Sequence, residues 1–269
     1  MKDPNKAIIQ LEHISKTFRT RASLFKGGQK EIIALKQVSL NIFRGEIFGL
    51  VGESGSGKTT TGRLIVKLEE PDHGKLLLDG NDITKIKRKV LKNFRRKVQM
   101  IFQDPYQSLN PYLSVYDCVS EPLVVHNVGN SETREDMVRQ SLISVGLDPP
   151  ENFLYRYPHQ MSGGQRQRIA IARAMVLKPE FVVADEPTSM LDASLAIHIF
   201  NILSELRKKL NVTFLFITHS LAAAWYLCDR IAVIYKGELV EIGPAENIIR
   251  NPSHPYTRAL INAHPRFRY

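Results

Sequence analysis

The chain carries the octapeptide Gly52-Glu53-Ser54-Gly55-Ser56-Gly57-Lys58-Thr59. Its residues have the G-x-x-x-x-G-K-[ST] spacing of a phosphate-binding loop. The apolar run Ile47–Val51 before it predicts a buried strand, and Thr60–Leu68 after it predicts a helix. Glycines allow a tight turn whose N–H groups point at one anion, and the helix N-terminus adds partial positive charge. The octapeptide therefore predicts a phosphate site, with Lys58 reaching the β- and γ-phosphates and the Thr59 hydroxyl ligating Mg²⁺.

Length and composition indicate one large α/β domain with a smaller subdomain or appendage. The 269 residues are 43% hydrophobic, and two cysteines, Cys118 and Cys228, are too few for a disulfide framework or an iron–sulfur site. A reducing cytosol is the expected compartment. The chain starts with polar residues and then turns strand-like, so we expect no signal peptide.

The segment Val212–Cys228 contains no Lys, Arg, Asp or Glu, and its length approaches that of a membrane span. Polar residues interrupt it, and the pattern divides into a β-rich run, Val212–Ile217, and a helical run, Leu221–Leu227. We therefore expect a buried strand followed by a helix rather than a membrane span.

The net charge is +10, and a dense basic block occupies Lys85–Lys97. One interpretation is nucleic-acid binding through phosphate contacts. The other is a solvated helix near anionic lipid headgroups or an acidic partner surface. Composition alone leaves both interpretations open.

The remaining pattern predicts a β-rich start and a helical subdomain at about residues 105–165. Predicted strands are Ala7–Phe18, Ile32–Ile42, Lys75–Leu78, Val98–Phe102, Phe181–Ala184, Ile231–Tyr235 and Glu238–Ile242. Predicted helices lie between Ser114 and about Val145, then at Gln165–Leu177, Ala193–Lys209, Ala245–Arg250 and near Tyr256–Ala263. Turns or loops are predicted at Phe43–Glu46 (hairpin-like), Thr20–Lys30 and Lys236-Gly237. The stripes expected to face the core are Met137, Ser141, Leu142 and Val145, and Leu195, Ile199, Ile202, Leu203 and Leu206.

A second candidate phosphate motif is the apolar strand that ends in Asp185 and Glu186. The first acid at such a strand end can hold Mg²⁺, and the second is placed to polarise a water for in-line attack on the γ-phosphorus. Taken alone, a strand ending in two acids is equally consistent with a solvated strand end. Together with the glycine-rich loop it favours phosphoryl transfer.

The third element is Met161-Ser162-Gly163-Gly164-Gln165, directly before a predicted helix. A hydroxyl, accessible N–H groups and a helix dipole make such a start a good anion site, although an ordinary N-cap has the same composition. Because one γ-phosphate is already held by residues 52–60, a second receptor suggests that two chains share each nucleotide.

With these motifs assembled, the sequence resembles the ABC-type ATPases, specifically the nucleotide-binding subunits of transporters, over nearly its whole length. The resemblance implies a P-loop NTPase α/β fold with an antiparallel β subdomain and an α-helical subdomain. It further implies a cassette over residues 1–245 and a C-terminal extension over 246–269. ATP and Mg²⁺ are the implied ligands, and ATP hydrolysis is the implied reaction.

The resemblance also assigns roles to individual residues. Implied nucleotide contacts are Phe18 on adenine, Gly52, Glu53, Ser54, Gly55, Ser56, Gly57, Lys58, Thr59 and Thr60 on the phosphates, and Ser162, Gly163, Gly164, Gln165 and the subunit-facing Asp192 across a dimer. Implied metal ligands are Thr59, Gln103 and Asp185, and implied catalytic residues are Glu186, the switch histidine His219 and Gln103 of the glutamine loop. Taken alone, His219 is equally consistent with a helix-cap residue. Two positions depart from the family pattern: Met161 stands where Leu is usual, and Met190 where Ala is common.

Two further stretches, Val98–Pro111 and Asn251–Leu260, resemble the oligopeptide/dipeptide permease ATPases, and the first is closer to the F-type subunit. This implies a D-type ATPase partner, two transmembrane permease subunits, a solute-binding protein acting indirectly and a peripheral position at the cytoplasmic face of the membrane. Oligopeptides or dipeptides are the implied cargo, with nickel or oligosaccharides as alternatives. The C-terminal extension either packs on the cassette or holds the partner subunit.

Two rival functions remain open to test. A soluble nucleic-acid-associated ABC ATPase would use the basic block, but the single cassette and the permease-like tail argue against it, so we expect no nucleic-acid partner. A non-hydrolysing regulatory cassette typically lacks the second-motif glutamate or the switch histidine, and this chain has both Glu186 and His219.

Overall fold

The computed structural model describes residues 6–20 and 30–263. Most of the loop predicted at Thr20–Lys30, residues 21–29, lies outside the described residues. The chain divides into two compact units, one formed by Met1–Lys87 with Leu215–Tyr269 and the other by Arg88–Phe214. We call them unit 1 and unit 2 and describe each by itself.

Within the described residues, the elements follow the predicted alternation of strands and helices. In chain order the strands are β1 (Ala7–Thr20), β2 (Lys30–Phe43), β3 (Ile47–Val51), β4 (His73–Leu78), β5 (Asn81–Asp82), β6 (Val98–Ile101), β7 (Phe181–Asp185), β8 (Thr213–Thr218), β9 (Arg230–Tyr235) and β10 (Glu238–Pro244). The α-helices are α1 (Lys58–Ile65), α2 (Arg88–Lys97), α3 (Pro105–Ser108), α4 (Val115–Val125), α5 (Ser131–Ser144), α6 (Gly163–Met175), α7 (Ala193–Leu210), α8 (Leu221–Leu227), α9 (Ala245–Arg250) and α10 (Pro255–Asn262).

Unit 1 contains an antiparallel sheet in the order β2-β1-β4-β5. Its central strand, β1, pairs Leu11 with Leu40 of β2 on one side and with Leu76 of β4 on the other, and all three side chains are buried. The pairs bury one apolar face of the sheet, which is what the predicted alternation requires. β1 and β2 are each 14 residues long and extend beyond the predicted runs.

Unit 1 also contributes four neighbouring strands to a second sheet, in the order β10-β9-β3-β8. β3 is parallel to β9 and buried along its whole length, and β9 and β10 form a hairpin with positive φ angles at Lys236 and Gly237. The hairpin predicted at Phe43–Glu46 was wrong, because β2 and β3 on either side of that turn belong to different sheets.

Helix α1 begins two residues earlier than predicted and ends three residues earlier. Gly57 is its N-cap with a φ of 108°, and Val66 is its C-cap. The phosphate-loop motif therefore runs directly into the helix, so that Lys58 and Thr59 lie in its first turn, while Leu68 beyond the C-cap is half exposed.

In unit 2, β6 and β7 are parallel and α6 packs against α3, α4 and α5. The core between these helices includes the buried residues Val115, Val119, Leu123, Val138, Leu142 and Ile169. The predicted stripes were partly wrong: Met137, Leu195 and Ile202 are only half-buried, and their neighbours Val138 and Phe200 are buried instead. The other predicted members, Ser141, Leu142, Val145, Ile199, Leu203 and Leu206, are buried as predicted.

Most of the basic block, Arg88–Lys97, forms α2, in which Phe94 is buried and the cationic side chains are exposed. Lys97 at its end pairs with Glu180 across 3.2 Å. Exposed cations are expected under both interpretations of the basic block.

The uncharged segment Val212–Cys228 contains β8 and α8, as predicted. Among the helices of the described residues, none is long and apolar enough to cross a membrane. At the C-terminal end of unit 1, α9 packs against α8, β9 and β10, and α10 follows it.

Candidate functional site

The phosphate loop lies between β3 and α1 in unit 1, and the surrounding backbone leaves no room for side chains at two of its glycines. A Cβ atom on Gly52 would lie 2.2 Å from the carbonyl oxygen of Ile234 in β9. A Cβ atom on Gly57 would lie 2.5 Å from the carbonyl oxygen of Ala34 in β2. The loop is thus seated directly on two strands, and the motif's glycines are required by that contact as well as by the turn.

The side chain of Lys58 points back into this loop. Its side chain is 5% exposed, and its Nζ donates to the carbonyl oxygens of Gly52 and Glu53 at 2.8 and 2.7 Å. The Ser56 hydroxyl oxygen is buried without a hydrogen-bond partner within the described structure. A buried cation and an unpaired buried hydroxyl inside one glycine-rich turn fit a phosphate chain, because both would gain partners when it binds.

The other loop positions differ in exposure. Glu53, Ser54 and Gly55 form the exposed tip, whereas Thr59 and Thr60 are half-buried on α1. The Thr59 hydroxyl is the one predicted to ligate Mg²⁺.

His219 and Phe18 are the other predicted site residues of unit 1. His219 is exposed and directly follows β8. It is not the cap of α8, because Ser220 caps that helix with its hydroxyl accepting from the Ala223 N–H at 3.2 Å. Phe18 is half-buried on β1, with the Lys16 Nζ 5.3 Å from its ring centroid.

In unit 2, the predicted metal ligands and the residue predicted to orient the water lie at or just beyond the ends of parallel strands. Asp185 ends β7 and is 3% exposed, and Gln103 is an exposed residue just beyond β6. Ile101 of β6 pairs with Ala184 of β7, so Gln103 and Asp185 lie at the same sheet edge. Both side chains carry oxygen atoms, the ligand type that Mg²⁺ prefers.

Among the described residues, no three His, Cys, Asp or Glu side chains cluster as a metal cage would require.

Glu186 adopts a φ of 44°, which is rare outside glycine and asparagine. The turn after it holds this conformation, because the Glu186 carbonyl accepts from the Ser189 N–H at 3.2 Å and from the Ser189 hydroxyl at 3.1 Å. A left-handed residue at this position costs about 1 kcal/mol or more.

The Ser-Gly-Gly turn forms the N-terminus of α6 as a capping box. The Ser162 hydroxyl accepts from the Gln165 N–H at 3.3 Å, and the Gln165 Oε1 accepts from the Ser162 N–H at 2.9 Å. The turn is therefore an N-cap, as the simpler interpretation expected, and its glycines also leave the helix start accessible to an anion.

The loop Ser189–Asp192, which ends in the predicted subunit-facing aspartate, lies beside this turn within unit 2. A Cβ atom on Gly163 would lie 3.8 Å from Leu191, the residue before Asp192. Hydrogen bonds from the Leu195 N–H and the Ser194 hydroxyl lower the pKa of Asp192, which caps α7. Asp192 therefore stays ionised at neutral pH and remains exposed at the helix start.

Sequence reasoning missed two arginines of α6. Arg166 places its guanidinium carbon 4.0 Å from the Tyr106 ring centroid, and Arg173 donates to the Ser108 carbonyl. Both connect the segment after Gln103 to α6. No local pattern identifies them, because their partners are backbone atoms and a ring far away in sequence.

Residues 35–189 match the family described as ABC transporter. The match covers more than half of the chain. The chain belongs to the ABC transporter family. Residues 240–269 of this ABC protein also match the family described as oligopeptide/dipeptide transporter, C-terminal region. The predicted fold class and ATPase chemistry are thereby confirmed: the chain is an ATP-binding and ATP-hydrolysing cassette.

Relatives of this cassette carry peptide-transport names. It is 46% identical over 98% of its length to the oligopeptide transport ATP-binding protein OppF of Streptococcus mutans, covering 84% of that protein. It is 45% identical over 96% of its length to OppF of Bacillus subtilis, covering 82% of it.

Solved structures agree on the fold of the cassette. The dimeric, post-hydrolysis ATP-binding cassette MJ0796 bound to ADP and Pi matches 88% of this chain and 98% of its own, at 32% identity and a TM-score of 0.77. The protein cbiO1 of Clostridium perfringens, part of the ABC transporter complex cbiONQ, matches 97% of each chain at 27% identity and a TM-score of 0.77.

Proposed function

We propose that this cassette powers the import of oligopeptides or dipeptides. One observation carries the proposal: a single chain combines an ABC cassette match at residues 35–189 with an oligopeptide/dipeptide transporter C-terminal match at 240–269. The peptide-transport names of the relatives support the same cargo. We retain residues 1–245 as the cassette and 246–269 as the extension.

Within the cassette, the phosphate loop binds the nucleotide and the acids of unit 2 drive its hydrolysis. Lys58 and the loop N–H groups neutralise the phosphates, and Phe18 stacks on adenine. Glu186 orients the attacking water from a backbone conformation that the hydrogen bonds of Ser189 hold. His219, exposed at the end of β8, contacts the γ-phosphate.

Thr59, Gln103 and Asp185 are the residues that would hold Mg²⁺. When bound, the ion neutralises charge on the β- and γ-phosphate oxygens. Asp185 supplies a buried carboxylate, and Gln103 supplies an amide oxygen at the same sheet edge.

A second ATPase subunit completes each nucleotide site. Ser162, Gly163, Gly164 and Gln165 present the N-terminus of α6 to the nucleotide of the opposing subunit, and the ionised Asp192 faces that subunit. The opposing subunit is a related D-type ATPase, consistent with the resemblance of the sequence Val98–Pro111 to F-type subunits.

The cassette works at the cytoplasmic face of the cell membrane beneath two permease subunits, and a solute-binding protein delivers the cargo to them. The segment 104–112, which follows Gln103 and is tied to α6 by Arg166 and Arg173, is where a permease docks. This docking links γ-phosphate sensing to transport, and no nucleic acid takes part.

The test is uptake of labelled peptide by proteoliposomes that contain the assembled transporter and its binding protein. We expect ATP-dependent uptake, and Glu186→Gln to lower ATP turnover by about 100-fold or more while nucleotide binding persists. Glu246→Gln, an exposed carboxylate in unit 1, is the matched control and should leave turnover unchanged. Uptake of nickel or an oligosaccharide instead of peptide would contradict the cargo, and unchanged turnover in Glu186→Gln would contradict the role of that residue.

A further inference from the structure

The C-terminal extension reaches the phosphate loop through one side chain. Tyr256, in the first turn of α10, accepts a hydrogen bond from the Glu53 N–H through its hydroxyl oxygen at 3.2 Å. Both residues belong to unit 1, although they are 203 positions apart in sequence.

This hydrogen bond involves the same peptide group whose carbonyl oxygen accepts from Lys58. The peptide between Gly52 and Glu53 offers its carbonyl oxygen to the Lys58 Nζ at 2.8 Å and its N–H to Tyr256. In a trans peptide the two groups point in opposite directions. The peptide plane is therefore fixed from both sides, and it cannot rotate without breaking one of the two hydrogen bonds.

Tyr256 is itself held in place. Its ring packs on Tyr235, the last residue of β9, with the centroids 4.2 Å apart. Its own N–H donates to the Nδ1 of His254, and the Glu241 carboxylate of β10 accepts from the His254 N–H at 3.1 Å. Burial raises the pKa of Tyr256, so the hydroxyl keeps its proton at neutral pH and acts as a neutral acceptor.

We propose that Tyr256 is a positioning residue for nucleotide binding, whose hydroxyl pre-orients the Gly52–Glu53 peptide and through it the ammonium of Lys58. The extension thus contributes to the phosphate site of its own cassette, in addition to any role toward a partner subunit. A loop that is ordered before binding loses less conformational entropy when the phosphates arrive, so affinity rises without a new ligand contact. The inference rests on ATP binding by the loop and is independent of the transported cargo.

The experiment is titration of the full chain with the non-hydrolysable nucleotide adenylyl imidodiphosphate and Mg²⁺. In Tyr256→Phe the ring and its packing remain while the hydroxyl is lost. We expect the dissociation constant to rise about 3- to 10-fold, the KM for ATP to rise by the same factor, and kcat to stay within 2-fold. Tyr235→Phe, which removes the hydroxyl of the ring partner, is the matched control and should bind as the wild type does.

A second measurement separates positioning from general stability. Amide hydrogen exchange at Glu53 in the nucleotide-free protein should become faster in Tyr256→Phe, with the thermal unfolding midpoint within about 2 °C of wild type. The proposal is overturned by wild-type affinity in Tyr256→Phe, by an equal loss in Tyr235→Phe, or by an affinity loss that merely accompanies a large drop in the unfolding midpoint. A change in peptide uptake at unaltered nucleotide affinity would also overturn it, and would leave the peptide-import proposal standing.

Discussion

Arg173 of α6 donates from Nη1 to the carbonyl oxygen of Ser108 at 2.7 Å, across 65 positions of sequence. Its other terminal nitrogen, Nη2, donates to the Glu121 carboxylate at 2.5 Å. One guanidinium thus connects the segment after the glutamine loop with α4 and α6. Since α6 begins at the Ser-Gly-Gly turn, this side chain is a physical link between the proposed permease-docking segment and the proposed nucleotide-facing turn.

Arg173→Met should therefore loosen the segment that follows Gln103. We expect a loss of about 1–3 kcal/mol in the free energy of unfolding, because a charge-assisted hydrogen bond disappears and the Ser108 carbonyl loses its donor. Hydrogen exchange at residues 105–112 should become faster. Lys89→Met, at an exposed cation of α2, is the control and should change neither measurement. Equal exchange rates in wild type and Arg173→Met would contradict the link.

Gly52→Ala should distort the phosphate loop. Its Cβ would meet the Ile234 carbonyl at 2.2 Å, and backbone atoms of a buried strand have little room to move. We expect a destabilisation of about 1–3 kcal/mol by urea unfolding, together with loss of nucleotide binding. Gly243→Ala is the matched control, because its Cβ would lie 3.5 Å from Ile248, an ordinary contact. Wild-type nucleotide affinity in Gly52→Ala would show that the loop can sit elsewhere.

Lys58→Ala should weaken binding of ATP itself rather than only its turnover. The buried ammonium is the cation placed within the loop, and charge-assisted hydrogen bonds contribute about 1.5–3 kcal/mol. We expect the dissociation constant for ATP, measured by calorimetry, to rise about 10- to 100-fold. Lys36→Ala, which removes a surface pair with Glu238, should leave it unchanged. An unaltered ATP affinity in Lys58→Ala would place the phosphates outside this loop.

The two cysteines should be unreactive in the folded protein. Burial raises the pKa of Cys118 to about 11 and raises the pKa of Cys228 well above its ordinary value. Because the thiolate is the reactive form, a rise of this size lowers the thiolate fraction of Cys118 at pH 8 by about 100-fold. Labelling with a disulfide reagent at pH 8 should be slow in buffer and rapid for both thiols in denaturant. Rapid native labelling would contradict the burial.

Stability of the extension should fall in acid because of Glu241. Burial works to raise the pKa of Glu241, but the N–H groups of Ser253 and His254 outweigh it and lower the pKa below 4.5. A carboxylate with a lowered folded-state pKa stabilises the fold above the unfolded-state value, and the contribution disappears as the pH falls through the folded-state value.

The measurement is the difference in unfolding midpoint between wild type and Glu241→Gln. It should be largest near pH 7 and vanish as the pH falls well below 4.5, where both side chains are neutral. Glu238→Gln, on the same strand but in an exposed pair with Lys36, should show no such pH-dependent difference. A difference that is constant from pH 7 to pH 3 would contradict the role of the Glu241 charge.

The sequence predicted the order and type of most elements but not all of their pairings or buried faces. β3, β7, β8, α8 and α9 lie within a residue of their predicted bounds, since compact apolar runs and turn residues specify them locally. The supposed hairpin at Phe43–Glu46 failed because a short turn is equally compatible with a chain that crosses to another sheet. Met137 and Ile202 were assigned to the core but are only half-buried, because helical periodicity gives the direction of the buried face and not its width.

The sequence by itself determined the phosphate loop: fixed spacings of glycine, lysine and threonine specify it, because the turn and the helix start are formed by residues adjacent in the chain. Only the tertiary structure decided how the loop is held. The backbone carbonyls of Ile234 and Ala34 lie close to Gly52 and Gly57. The Tyr256 hydroxyl accepts from the Glu53 N–H, and Arg173 donates to the Ser108 carbonyl. All of these partners are distant in sequence. Such contacts produce no recognisable sequence pattern, because every residue except proline has the same backbone carbonyl and N–H groups. Only the folded path of the chain decides which of these groups comes into contact.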